Sequence, residues 1–222
     1  MLFKSAYLGD NEIVKAYKGS TLFYEKGGLP SGYTALEYLE SSGTQAIDTG
    51  YKPNSDTRLV VDCLIQGTFG AYGCHGVRDY TNSHSFWFGK GSTAYNRLYG
   101  AYNNQTQNSN TNYYDARHTF DFGANKLLVD NVQVLSFTAA TFSVNYNLFL
   151  FAVNDDYQSS GNPQIRLGGN CKTYSAHIYE NDVLTHSFVP CLDNNNVPCM
   201  YDLIGRTTHY NIGTGNFTYG GI

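Results

Sequence analysis

Apolar residues in this chain recur at every second position, in short runs separated by glycine and asparagine turns. Thr57–Gln66 (TRLVVDCLIQ) is the clearest run, with Leu59, Val61, Cys63 and Ile65 on one face. Successive strand side chains point to opposite sides, so this spacing describes a half-buried β-strand. Similar segments follow at Phe69–His75, Ser85–Gly89, Arg97–Tyr102, His118–Phe122, Lys126–Val129, Gln133–Phe137 and Gln164–Leu167. Leu148–Val153 is apolar throughout and reads as a strand covered on both faces. Lys172–Glu180 alternates, which puts Tyr174, Ala176, Ile178 and Glu180 on one face; Val183–Val189 pairs with it across an Asn181-Asp182 turn. Met200–Ile204 and Tyr210–Thr218 read as a closing hairpin. No segment has convincing 3.6-residue patterning, and Ala35–Glu40 fits a strand better than a helical turn. A dozen short strands with such turns predict an all-β, two-sheet antiparallel sandwich.

Two stretches stand apart from this pattern. Residues 6–25 hold two units of Ala-Tyr-x-Gly, a polar turn and apolar residues, as in Ala6-Tyr7-Leu8-Gly9 and Ala16-Tyr17-Lys18-Gly19. Short hairpins of this size do not stand alone, so residues 1–28 are expected to dock on something larger or to extend the sandwich. Lys26-Gly27-Gly28 reads as a hinge before a domain over residues 29–222. Tyr102–Asp115, rich in Asn and Gln, reads as an exposed loop.

Charge and cysteine usage narrow the function classes. The formal net charge is −4 with no basic stripe, which argues against a nucleic-acid partner. No 18-residue apolar run exists for membrane insertion, and Asp10 and Glu12 interrupt the first residues too early for a signal peptide. Cys63, Cys74, Cys171, Cys191 and Cys199 are scattered without CxxC spacing or a His cluster. They read as reduced thiols, with a Cys191–Cys199 bridge as the alternative and no zinc site expected.

Segments spread along the chain carry a family resemblance. They are Leu29–Pro53, which reads as the first strand pair of the sandwich; Phe69–His75 with Phe86-Trp87-Phe88-Gly89; Leu148–Asn154; Lys172–Glu180 with Leu184–Cys191; and Tyr201-Asp202-Leu203 with Gly213–Phe217. In this order they resemble the concanavalin A-like (laminin-G-like) jelly-roll domain of phage and prophage tail, fibre and appendage proteins. The resemblance implies a jelly-roll sandwich behind a small N-terminal β-hairpin docking segment. It also implies a virion structural protein, other virion proteins as partners, and a homotrimer. A lectin-like surface for host or mucosal glycans follows as an expectation, with a ligand-free decoration protein and a glycoside hydrolase as the alternatives.

Glycoside hydrolysis needs two carboxylates flanking the scissile bond, about 5 Å apart for retention. The Glu-x-Asp-x-x-Glu or Glu-x-Asp-x-Glu strand pattern that serves this in related enzymes is missing; Glu180-Asn181-Asp182 comes nearest and falls on a turn. There is also no Gly-x-Ser-x-Gly elbow. Catalysis is therefore not expected. Glycan binding needs an aromatic face for the sugar C–H surface and polar groups for its hydroxyls. Trp87 faces the side opposite Phe86 and Phe88, and Tyr80, Tyr95, Tyr99, Tyr102, Tyr113 and Tyr114 with Asn103, Asn104 and Asn112 lie in neighbouring strands and loops. These are the expected ligand-binding residues. No cofactor is expected; Asp155 and Asp156 are the candidates for Ca²⁺.

Overall fold

A computed structural model describes residues 28–67, 73–91, 97–156 and 164–221, together with short strand backbones within residues 7–25. Two β-sheets pack face to face, and no helix occurs among the described residues. The larger sheet runs in the order Val132–Ser136, Lys126–Val129, Arg117–Gly123, Thr57–Ile65, Asn170–Glu180, Val183–Leu192, Pro198–Asp202, Thr207–Tyr210. Tyr38–Ser42 adds to it beside Asn170–Glu180, and Thr218–Gly220 pairs with Tyr38–Ser42. The smaller sheet runs Gln105–Asn108, Leu98–Asn103, His84–Lys90, His75–Asp79, Phe149–Leu150, Ile47–Asp48. Its pairing is antiparallel except where Ala152–Asp155 lies parallel to His75–Asp79.

The alternation in Thr57–Ile65 is realised along its whole length, with Leu59, Val61, Cys63 and Ile65 in the core. Phe120 and Phe122 of the larger sheet meet Phe86 and Phe88 of the smaller one. Ring centroids lie 4.6 Å apart for Phe86–Phe122 and 5.2 Å for Phe88–Phe120. Tyr201, Ile178 and Phe217 are core residues, as their positions suggested. The Asn181-Asp182 turn has both residues in the left-handed region, φ 50° and 60°, as a two-residue hairpin requires.

Several expectations are corrected. The strands of Leu29–Pro53 do not pair with each other: Tyr38–Ser42 joins the larger sheet and Ile47–Asp48 the smaller, so this segment crosses between layers. The run Leu148–Val153 is broken at Phe151, whose φ of +67° turns the chain between two short strands. In Asn170–Glu180 the register shifts between Thr173 and Ser175. This bulge swaps the parity of the core face, which holds Cys171 and Thr173 before it and Ala176 and Ile178 after it; Tyr174 is left outside, ring to ring with Tyr38 at 5.4 Å. The strand expected over Val183–Val189 runs on to Leu192, with Pro190 inside it opposite Met200. Gln105–Asn108 forms an edge strand, and Tyr114 is buried, so Tyr102–Asp115 is not a free loop. The final hairpin pairs Pro198–Asp202 with Thr207–Tyr210, while Thr218–Gly220 goes to Tyr38–Ser42.

The N-terminal repeat forms two short antiparallel ladders, Tyr7–Leu8 with Asn11–Glu12 and Lys15–Lys18 with Thr21–Glu25. Its turns at residues 9–10 and 19–20, and the expected Phe69–Tyr72 strand start, lie outside the described residues.

Candidate functional site

The outer face of the larger sheet carries a cleft of about 510 Å³. Three central strands build it with the residues that alternate away from the core. Arg58, Val60 and Asp62 come from Thr57–Ile65, Thr119 and Asp121 from Arg117–Gly123, and Ser175, His177 and Tyr179 from Asn170–Glu180. Strand register sets them in rows: Thr119–Asp62–Ser175, then Asp121–Val60–His177–Ser187. The bulge before Ser175 gives Asn170–Glu180 its place in this pattern. Without it His177 and Tyr179 would face the core and Ala176 and Ile178 the cleft.

Both cleft carboxylates are engaged. Arg58 donates to Asp121 through Nε (2.8 Å) and Nη2 (2.7 Å), and Arg117 holds Asp62 in the same two-point way at 2.8 and 2.7 Å. The hydrogen bond to Asp121 raises the Arg58 pKa further, and its guanidinium lies 5.0 Å from the Tyr179 ring centroid. His177 shares a hydrogen bond between Nδ1 and Ser187 Oγ at 3.1 Å, while its Nε2 has no hydrogen-bond partner among the described residues. Such buried polar atoms are uncommon. The cleft thus offers apolar surface at Val60, Leu184 and the Tyr179 ring beside hydroxyl, carboxylate and imidazole groups, which suits a hydroxyl-rich ligand.

His177 also ties stability to pH. Burial lowers its pKa from 6.5 to about 4. An unfolded chain therefore binds a proton here between those values while the folded chain does not, so this contribution is complete above pH 6.5 and is lost as pH falls toward 4. The expected loss is roughly 3 kcal/mol. Urea unfolding of wild type and His177→Gln at pH 7 and pH 4 measures it: the wild type should lose that much more than the variant, and equal losses would refute the assignment.

The expected aromatic site is dispersed. Trp87 does face away from Phe86 and Phe88, but it is only 7% exposed, lying between Gly76 and Ala101 on the neighbouring strands and packed with Val153, Tyr99 and Leu167. It offers no open platform. Tyr102 and Tyr114 point into the core; the Tyr102 hydroxyl donates to Ser55 O at 3.2 Å and that of Tyr114 to Arg97 O. Tyr113 packs on the core beside His118, 5.7 Å between ring centroids. Among the described residues of that set, Tyr80, 36% exposed, Asn103 and Asn104 share a surface, a shallow hollow that Arg78 and Ser85 also line. Tyr95 lies outside the described residues. Asn112 accepts a hydrogen bond from the Tyr114 amide and caps a turn.

Asp155 and Asp156 are buried; Asp155 is ion-paired, with neither oxygen accepting a hydrogen bond among the described residues, and Asp156 is hydrogen-bonded. Arg78 Nε lies 3.3 Å and Arg166 Nε 3.9 Å from the Asp155 carboxylate, while Asp156 accepts from Thr81 Oγ1 at 2.8 Å and Tyr146 OH at 3.2 Å. Neither belongs to a set of three convergent metal-donor side chains among the described residues. The cleft escaped sequence reasoning because its walls come from strands far apart in the chain. The one available signal was the polar phase of Thr57–Gln66, Arg58 and Asp62, opposite its apolar phase.

No protein-family model matches the chain, and no curated protein matches it in sequence. Among the described residues no helix is long and apolar enough to cross a membrane.

Proposed function

We propose that this chain is a phage or prophage virion protein of fibre or appendage type, whose sandwich binds host-surface or mucosal glycans without turning them over. The observation that carries the binding reading is the cleft on the larger sheet, where Val60, Leu184 and Tyr179 stand beside Arg58, Asp121, His177 and Ser187. The virion assignment rests on the ordered resemblance of Leu29–Phe217, and with it come docking through residues 1–28 and a homotrimer. Two points favour binding over hydrolysis. Asp62 and Asp121 are each held by an arginine in a two-point contact, so neither carboxylate stands free to flank a scissile bond. The cleft is also an open sheet face. The glycan site is accordingly assigned to Arg58, Asp121, His177 and Tyr179 in place of Trp87.

A glycan array with wild type, Arg58→Ala and Tyr80→Ala tests this. The Arg58–Asp121 pair is partly exposed and contributes about 1 kcal/mol or less to stability, so Arg58→Ala should fold. Selective binding by wild type, weakened at least about tenfold by Arg58→Ala and unchanged by Tyr80→Ala, is the expected result; a tenfold loss corresponds to about 1.4 kcal/mol. A silent array with normal incorporation into particles would point to a ligand-free decoration protein. Release of reducing sugar would point to a glycoside hydrolase.

A further inference from the structure

Three of the five cysteines, distant in sequence, meet at one place between the sheets. Cys63 lies on Thr57–Ile65 and Cys171 on Asn170–Glu180, both from the larger sheet; His75 opens the His75–Asp79 strand of the smaller one and Cys74 immediately precedes it. All four side chains are fully buried. The donor atoms of Cys74, His75 and Cys171 lie within 4.8 Å of one another, the one such set among the described residues. Cys63 lies beside this set, opposite Thr173 on the neighbouring strand, and interacts with Cys74 and His75.

Buried thiols alone behave as small apolar groups and need no function. His75 is different. Its fully buried ring packs on Phe88 and Phe151 beside the Cys74 and Cys171 thiols, and packing leaves its Nε2 without any hydrogen-bond partner among the described residues. We propose that Cys63, Cys74, Cys171 and His75 Nε2 form a tetrahedral site for one thiophilic divalent cation of the zinc class, which staples the two sheets together.

Three thiolates and one imidazole are a common structural zinc set. Bond lengths of about 2.3 Å to sulfur and about 2.0 Å to nitrogen place tetrahedral ligands within about 4 Å of one another, so the Cys74, His75 and Cys171 donors contract by under about 1 Å and Cys63 moves in as the fourth ligand. Binding exchanges the three thiol protons for one divalent ion. A neutral His75 ring then carries its proton on Nδ1, which displaces the Phe151 amide that now donates to Nδ1 at 3.2 Å.

The test uses full-length protein, stripped by chelator under reducing conditions and titrated with Co²⁺ and then Zn²⁺. One equivalent of Co²⁺ should bind with thiolate charge-transfer and intense tetrahedral d–d bands, and one equivalent of Zn²⁺ should abolish them. The Phe151 amide resonance should move on Zn²⁺ addition. Cys191 and Cys199, whose sulfurs are 3.5 Å apart, are the competing location; a Cys191→Ser/Cys199→Ser double variant should keep the full spectrum, and Cys171→Ser should lose it. Should Cys171→Ser fail to fold, X-ray absorption of the zinc-loaded wild type decides, with three sulfur ligands and one nitrogen expected. Absence of stoichiometric binding, loss of the signal in the Cys191/Cys199 variant, or coordination dominated by oxygen would overturn the proposal.

Discussion

Phe122→Ala should cost about 3–5 kcal/mol of stability, read as a lower urea midpoint with an unchanged slope. Phe122 is fully buried on Arg117–Gly123, and its ring lies 4.6 Å from that of Phe86, 6.0 Å from Phe88, 6.3 Å from Tyr102 and 6.0 Å from Phe137. All four neighbours except Phe137 belong to the smaller sheet, so truncation opens a void where the two layers meet. Rigid strands on both sides cannot close it, which places the cost at the upper end for such changes. A loss below about 1 kcal/mol would mean that the sheets do not pack through this cluster.

Gly76→Ala should be at least as damaging. Gly76 has φ +141°, a conformation that residues with a Cβ rarely adopt, and a Cβ there would overlap the Phe86 carbonyl oxygen and the Trp87 Cα. Both obstacles are backbone atoms of the strand hydrogen-bonded to it, so neither can step aside without opening the ladder between His75–Asp79 and His84–Lys90. Backbone strain and overpacking each cost about 1–3 kcal/mol, and their combination approaches the whole stability of many domains. The expected outcome is little soluble folded protein, or a thermal midpoint far below wild type in whatever is recovered. A variant that melts within a few degrees of wild type would show that the indole of Trp87 does not depend on this close approach.

These two sites show what the sequence made legible. The period of two in Thr57–Ile65 announced its core face correctly, because one residue slip would turn every side chain over. The opposed directions of Trp87 and its Phe neighbours were legible for the same reason. The fate of Trp87 was not: whether an outward side chain meets solvent depends on Val153 and Leu167, which reach it through a parallel pairing of distant segments. The bulge at Thr173–Ser175 was equally hidden. An extra residue leaves the local pattern looking regular while it reverses the faces, and it moved Tyr174 out and brought Cys171 in. The thiol–imidazole cluster needed three strands from two sheets to converge, and sequence spacing, which works for local metal motifs, carries no signal for that.

The cleft on the larger sheet bears the functional account, and an NMR titration of isotope-labelled protein with the tightest array glycan tests it most directly. The account predicts that the imidazole resonances of His177 and the amides of Arg58, Thr119 and Tyr179 move together and saturate, while those around Tyr80 and Asn103 stay in place. Saturable shifts centred on Tyr80 and Asn103, with the His177 ring unmoved, would contradict it.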